Sequence, residues 1–141
     1  MMIRRGVCAI IFFDGSKGTE YLLLKRKQNW KGWEFLKGGR KKNESEMGCL
    51  RREMKEEIGI SVFGAQKTDE FHIFKYKKEY AKDHEVWNGA KNRAYLVQIF
   101  TKKIRIDQDE HSGFKWVDRK TALKMITWKD SKKVFERLVV N

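Results

Sequence analysis

The chain has 141 residues and a mass of 16.8 kDa, which suits a single domain over residues 1–141 with one hydrophobic core. The net charge of +13 favours an anionic partner such as nucleic acid or polyphosphate, although a merely soluble surface also accounts for it. No apolar run approaches the ~20 residues of a membrane span, and neither a secretory signal nor a cysteine framework is evident, so we expect a cytoplasmic protein without a membrane partner.

The first part of the chain predicts strands separated by turns, which glycine and charge mark because the chain has no proline. Apolar residues 7–13 predict a buried strand, residues 14–18 a turn and residues 21–27 a second strand. Residues 30–36 predict a short extended piece. Lys37-Gly38-Gly39 then predicts a loop whose glycines let a ligand approach the backbone closely.

The next predicted element is an amphipathic helix. It begins at Ser45, a good N-cap residue, and ends before Gly59, because glycine commonly terminates helices. One helical stripe is apolar and consists of Met47, Leu50, Met54 and Ile58. A neighbouring stripe carries three carboxylates at helical spacing, Glu53, Glu56 and Glu57.

These three carboxylates have two interpretations. Like charges on one helical stripe repel by a few tenths of a kcal/mol for each neighbouring pair. A hard divalent cation with oxygen ligands would offset that repulsion. The alternative is a solvated acidic face, which is what most charge runs on helices are.

Beyond the helix the chain predicts further strands and two short helices. The strands are residues 60–63, 70–76, 93–100 and 114–117. Asp118 caps one helix and Asp130 caps the last. Strands combined with a central helix and C-terminal helices predict an α+β or layered α/β domain, and the order of the strands stays open.

Residues 38–60 read Gly38-x5-Glu44-x7-Arg52-Glu53-Met54-x-Glu56-Glu57-x-Gly59-Ile60, and this pattern resembles the signature box of the Nudix hydrolases. The resemblance implies a mixed β-sheet sandwiched between α-helices, with the box as a loop-helix-loop. It also implies hydrolysis of a nucleoside diphosphate linked to another moiety, by attack of water on phosphorus, with Mg²⁺ or a substituting Mn²⁺. Divalent metals suit this reaction because they neutralise phosphate oxygens and acidify water.

The resemblance also assigns roles to single residues. The metal ligands that it implies are Glu53, Glu56, Glu57, the carbonyl of Gly39 and Glu110. Glu53 or Glu110 acts as the base, Arg52 orients a glutamate of the box, and Glu44 is structural or lies outside the ligand shell. Glu110 stands in the pattern Glu-His-x-x-x-x-Trp-Val, and its alternative is an ordinary solvated loop acid.

Residues outside the box resemble particular subgroups of the family. Trp33-Glu34-Phe35-Leu36-Lys37-Gly38-Gly39 is similar to a stretch of asymmetric diadenosine tetraphosphate hydrolases and RNA 5′-pyrophosphohydrolases, although Leu36 replaces the usual proline. This similarity implies that Lys37, with help from Arg5 and Arg26, contacts phosphate. Tyr76 is the first candidate to stack on a base, with a packing role as its alternative.

The basic residues supply a further expectation. Lysine and arginine crowd residues 25–42, where Glu34 is the only acid before the box glutamates, and we expect this cluster to bind phosphate. His111, beside Glu110, is interpreted either as a phosphate contact or as a surface histidine.

Three functions remain open on the sequence. The first is a Mg²⁺-dependent hydrolase that splits diadenosine tetraphosphate into ATP and AMP. The second, which the charge of +13 favours, acts on RNA 5′ ends or caps, with nucleoside triphosphates as a related substrate. The third is a non-catalytic RNA-binding module, which the intact Arg52-Glu53-x-x-Glu56-Glu57 argues against. We expect a monomer or a homodimer.

Overall fold

The computed structural model describes residues 2–28, 31–75 and 89–140. Strands and helices alternate irregularly along the chain. In order they are β1 (Ile3–Gly15), β2 (Gly18–Arg26), β3 (Gly32–Glu34), β4 (Leu36–Gly39), α1 (Glu46–Ile58), β5 (Gln66–Lys75), β6 (Gly89–Gln98), β7 (His111–Val117), α2 (Arg119–Met125) and α3 (Lys129–Leu138). No helix among these residues is long and apolar enough to cross a membrane.

The strands form one mixed sheet with β1 at its centre. The main order is β3-β2-β1-β6-β5, while β4 pairs with β1 and β7 pairs with β2. β1 runs parallel to β6 from the pair Ile3↔Gly89 to the pair Phe12↔Gln98. Its other edge is shared, because β4 pairs with residues 6–9 and β2 pairs with residues 12–15. The sheet therefore branches along β1.

Helices cover both faces of this sheet, which confirms the expected sandwich. Alternate residues of β1 point to opposite faces, so a run of consecutive apolar residues serves two cores. On one face α1 packs through Leu50, Met54 and Ile58. On the other face α2 and α3 pack through Ala122 and Phe135.

Helix α1 has the ends that the sequence predicts. The hydroxyl of Ser45 accepts a hydrogen bond from the backbone N–H of Gly48 at 2.9 Å. Gly59 ends the helix in the left-handed conformation, with φ of 73°, which glycine adopts without the strain that a Cβ would bring. The same helix buries Glu53 and Glu57 together with its apolar stripe.

Three predictions about local structure are wrong. Lys37-Gly38-Gly39 is not a loop but part of β4, because the free edge of β1 pairs with it from Gly6 to Ala9. Residues 60–63 are not a strand; their alternating pattern arises because Ile60 and Val62 pack on the core while Phe63 faces solvent. Asp130 does not cap α3, because the N-cap position is Trp128. The carboxylate of Asp130 instead accepts a hydrogen bond from the backbone N–H of Ile73 at 2.8 Å.

Candidate active site

Arg52 is the centre of a hydrogen-bond network that ties the start of the box to its helix. Its guanidinium donates to both oxygens of Glu44, at 2.8 and 3.0 Å. It also donates to Glu53 at 2.9 Å, to Glu56 at 3.3 Å and to the carbonyl of Gly39 at 2.9 Å. The hydrogen bond from Arg52 is the main reason that the pKa of Glu44 falls to about 2. The arginine therefore favours the charged form of Glu44 and contacts Glu53 as well.

Glu53 reaches its position only because residue 38 is a glycine. A Cβ on Gly38 would overlap the carboxyl group of Glu53. Gly38 belongs to β4, so the side chain of Glu53 lies directly against a strand of the sheet. Burial raises the pKa of Glu53, and the charge of Arg52 opposes that rise.

A second group of ligand atoms lies where the C-terminal turn of α1 meets the start of β7. Glu57, Glu110 and His111 each offer one such atom, and these atoms lie within 4.8 Å of one another. Oε2 of Glu57 is buried without a hydrogen-bond partner among the described residues, as is Nδ1 of His111, 3.9 Å away. Burial, followed by the nearby carboxylate of Glu110, raises the pKa of Glu57 to about 11.

This group fits a divalent cation. Three carboxylates, from Glu53, Glu57 and Glu110, lie close together, and burial together with the carboxylates of Glu110 and Glu53 disfavours ionised Glu57. Two buried atoms with lone pairs face each other without a partner among the described residues, and a cation would satisfy both. The chemistry of the donor set therefore agrees with a metal site, with carboxylate oxygens suited to Mg²⁺ and an imidazole nitrogen suited to Mn²⁺.

His111 is not a surface histidine, so that interpretation was wrong. It is almost fully buried, and its Nε2 lies 2.8 Å from Oε2 of Glu34. A carboxylate can only accept a hydrogen bond, so Nε2 carries a proton. In the neutral ring Nδ1 then has no proton, and its lone pair lies on the side of Glu57. A histidine held in this way by a carboxylate is a common arrangement around metal ions.

Glu34 is the residue of this site that sequence reasoning missed. It is buried, and it forms ion pairs with Arg26 and Lys37, each at 3.3 Å, in addition to its contact with His111. Burial alone would raise its pKa, but Lys37, His111 and Arg26 together lower the pKa to about 2. The signal was present in the sequence as the only acid inside a basic cluster.

The predicted phosphate contacts lie in different places. Lys37, besides its ion pair with Glu34, lies over the ring of Phe74 at 4.1 Å from the centroid. Arg5 is exposed on β1, where its carbonyl accepts a hydrogen bond from the backbone N–H of Arg40. The guanidinium of its neighbour Arg4 is the one that lies against Gly39. Tyr76 lies outside the described residues.

Of the predicted metal ligands, the structure brings Glu53, Glu57 and Glu110 together. Glu56 lies at the edge of the group, with its side chain 51% exposed and in contact with Arg52. The reason is helical geometry, since adjacent residues lie about 100° apart around the axis. The carbonyl of Gly39 accepts a hydrogen bond from Arg52 and keeps a second lone pair.

The chain is similar to known proteins over most of its length. A model of the family described as NUDIX domain matches residues 2–138. An RNA pyrophosphohydrolase from Nitratiruptor sp. is 28% identical over 89% of this chain and 84% of its own length. A dihydroneopterin triphosphate diphosphatase from Escherichia coli is 23% identical over 98% of this chain and 95% of its own length. A solved Ap4A hydrolase complex from C. elegans, 18% identical, has a TM-score of 0.81 and covers 98% of this chain and 96% of its own.

Proposed function

The chain belongs to the NUDIX domain family and is a pyrophosphohydrolase, and from this premise we propose that it hydrolyses a nucleoside diphosphate linked to another moiety by attack of water on phosphorus. The observation that carries the proposal is the cluster of Glu53, Glu57, Glu110 and His111, in which all residues except Glu110 are buried and an oxygen of Glu57 has no hydrogen-bond partner among the described residues. The whole of residues 1–141 acts as one domain in this proposal.

The residues proposed to hold the metal are Glu53, Glu56, Glu57, Glu110 and His111, with the carbonyl of Gly39. We propose Mg²⁺, with Mn²⁺ as a substitute. When bound, such an ion supplies positive charge to phosphate oxygens and makes a water molecule more acidic.

The remaining roles belong to the chain itself. Glu53 or Glu110 accepts the proton of the attacking water, and both are close enough to Glu57 to act at the same place. Arg52 holds the carboxylate of Glu53 in one orientation at 2.9 Å. Lys37 and Arg26, which already lie within 3.3 Å of a carboxylate, supply the cations that bind the phosphates of the substrate.

We propose diadenosine tetraphosphate as the first substrate, cleaved to ATP and AMP. The support is the motif from Trp33 to Gly39 and the resemblance of the fold to an Ap4A hydrolase. We place the enzyme in the cytoplasm as a monomer or homodimer.

RNA 5′ ends are the second candidate substrate. Two observations favour it, the net charge of +13 and the relative named RNA pyrophosphohydrolase. The second substrate uses the same carboxylate group, so it differs from the first only in what occupies the surface beyond the phosphates. A non-catalytic module has no use for three clustered carboxylates and is the weakest of the three hypotheses.

A hydrolysis screen tests the proposal. Diadenosine tetraphosphate, nucleoside triphosphates and 5′-triphosphorylated RNA are each incubated with Mg²⁺, Mn²⁺ or a chelator in ¹⁸O-water, and the products are identified by mass spectrometry. We expect metal-dependent turnover with ¹⁸O in a phosphate group. Label in a sugar hydroxyl, or turnover that the chelator leaves unchanged, would refute the mechanism.

A further inference from the structure

A cavity of about 700 Å³ lies at the far end of β1 and β6 and extends to Gly59, which follows Glu57 by two residues at the end of α1. Its lining includes Phe12, Gln98, Phe63 and Phe100. Gly38, which touches Glu53, pairs with Val7 of β1, whereas Phe12 lies five residues further along the strand, about 16 Å away at the usual rise of a strand. We call this space the Phe63/Phe100 cavity.

Two phenylalanine side chains at this cavity are unusually exposed. Phe63 is 94% exposed and Phe100 is 80% exposed. Each follows a buried residue, Val62 and Ile99, that fixes the local backbone to the core. The backbone N–H of Ile99 also donates to the carbonyl of Phe12 at 2.9 Å. The two rings are therefore held outward by an anchored chain, and they leave a large apolar area in contact with water.

Polar groups beside the rings suit an aromatic ligand with hydrogen-bonding edges. Ser61, Gln66 and Thr101 also line the cavity, and all three are exposed. A nucleobase presents a π-face together with donors and acceptors at its edge. Stacking on an aromatic side chain is the usual way in which proteins hold unpaired bases.

Two cations lie beside this cavity, on the segment that leads towards the carboxylate group. The segment after Phe100 carries the exposed residues Lys103 and Arg105, and neither is in an ion pair with another described residue. The backbone N–H of Arg105 donates to the carbonyl of Ile58 at 3.1 Å, which places Arg105 beside Gly59 at the end of α1. The same segment continues to Glu110 through Asp107 and Asp109, so the two cations lie at the cavity end of this segment.

We propose that the Phe63/Phe100 cavity binds a base of single-stranded RNA, whose phosphates pass over Lys103 and Arg105. The combination of exposed rings, polar edges and exposed cations matches a nucleic-acid strand. A second copy of this chain, with its own charge of +13, would bring like charges together at the same surface. The site is separate from hydrolysis and goes beyond the proposed function, because it holds RNA whichever anhydride is cleaved.

The test is fluorescence anisotropy with a 3′-labelled 12-nucleotide RNA that has a 5′-hydroxyl and so offers no anhydride to cleave. The double variant Phe63→Leu/Phe100→Leu keeps an apolar surface but removes the rings. We expect its affinity to fall by about 5- to 150-fold, the equivalent of the roughly 1–3 kcal/mol that stacking contributes per base. The matched variant Phe63→Tyr/Phe100→Tyr keeps the rings and should bind like the wild type.

Two further measurements separate the alternatives. Lys103→Ala/Arg105→Ala should reduce the dependence of binding on salt by about two phosphate contacts. Turnover of diadenosine tetraphosphate by the leucine variant should be unchanged, which would show that the catalytic group is intact. RNA binding is measured independently of turnover, so the test stands even if diadenosine tetraphosphate is not a substrate. Three results would each overturn the proposal. They are unchanged RNA binding by the leucine variant, no RNA binding by the wild type, and a wild type that is a dimer while the leucine variant is a monomer.

Discussion

Glu57 is the side chain on which the carboxylate group depends most, because it is buried and lies beside both Glu53 and Glu110. Glu57→Gln keeps the shape but replaces the carboxylate proposed to bind the metal with an amide. We expect kcat to fall by more than about 100-fold. This exceeds the ~10–100-fold loss typical of residues that hydrogen-bond to a metal ligand without binding the metal themselves. The fold should be retained, since the amide has nearly the same shape as the buried carboxyl group, whose raised pKa already disfavours the charged form. Steady-state kinetics and circular dichroism measure the two effects.

Glu136→Gln is the matched control for this variant, because Glu136 is exposed on α3, far from the box in sequence. Its kinetics should equal those of the wild type. Near wild-type turnover by Glu57→Gln at ordinary Mg²⁺ would instead show that Glu57 is not a ligand.

Glu34 gives a prediction about stability and pH. Its pKa in the folded protein is lowered to about 2, so ionised Glu34 stabilises the fold above the unfolded carboxylate pKa of about 4.3, and this stabilisation disappears as the pH falls towards 2. Glu34→Gln should therefore cost about 3 kcal/mol at pH 7, the usual result of breaking a buried ion pair. The difference from wild type should shrink between pH 5 and pH 2. Urea denaturation across this range measures it, and a difference that does not change with pH would contradict the assignment.

The sequence predicts part of this site because part of it is local. Glu53 and Glu57 are four residues apart on one helix, so their proximity follows from the helical period. His111 and Glu34 are not predictable in the same way, because strand pairing of β7 and β3 with β2 brings them together from distant positions. Only the tertiary fold shows that this histidine is buried against a carboxylate.

The contact between α1 and β4 leads to a prediction about substitution of Gly38. Gly38→Ala would place a methyl group where the carboxyl of Glu53 lies. We expect a large loss of kcat together with a loss of stability of a few kcal/mol, typical of overpacking. Gly113→Ala on β7 is the control, because a Cβ there meets nothing within 4 Å. Kinetics and thermal melts of both variants make the comparison, and equal behaviour of the two would show that Glu53 does not need this close approach.

Prediction from sequence was good for α1 and poorer for the segments around it. Ser45 and Gly59 mark the helix because capping is a local interaction. The strand β4 was predicted as a loop because glycine-rich sequence has low strand preference, and only its pairing with β1 overrides that preference. The fold class was predicted through the box, since periodicity alone left the order of strands open.

The surplus of positive charge over the full chain leads to a prediction about salt. Diadenosine tetraphosphate carries few phosphates, so its affinity should fall with salt at a shallow slope. Lys37→Ala should clearly weaken the use of diadenosine tetraphosphate as a substrate, because Lys37 lies 3.3 Å from the buried Glu34 near the catalytic group. Lys41→Glu/Lys42→Glu should have a modest effect. KM measured between 50 and 300 mM salt tests this. A steep slope, with strong turnover of triphosphorylated RNA and little of the dinucleotide, would make RNA the first substrate.

The parallel pairing of β1 with β6 also determines when the catalytic group can form during folding. The elements β1 to β4 and α1 are consecutive in the chain and can associate early, whereas β6 must close a long loop before it pairs with β1. Glu110 and His111 arrive later still, when β7 adds to β2. A metal ion therefore finds its full set of ligands only in the nearly native chain. It should slow unfolding while leaving the folding rate almost unchanged, as expected for interactions that form after the folding transition state.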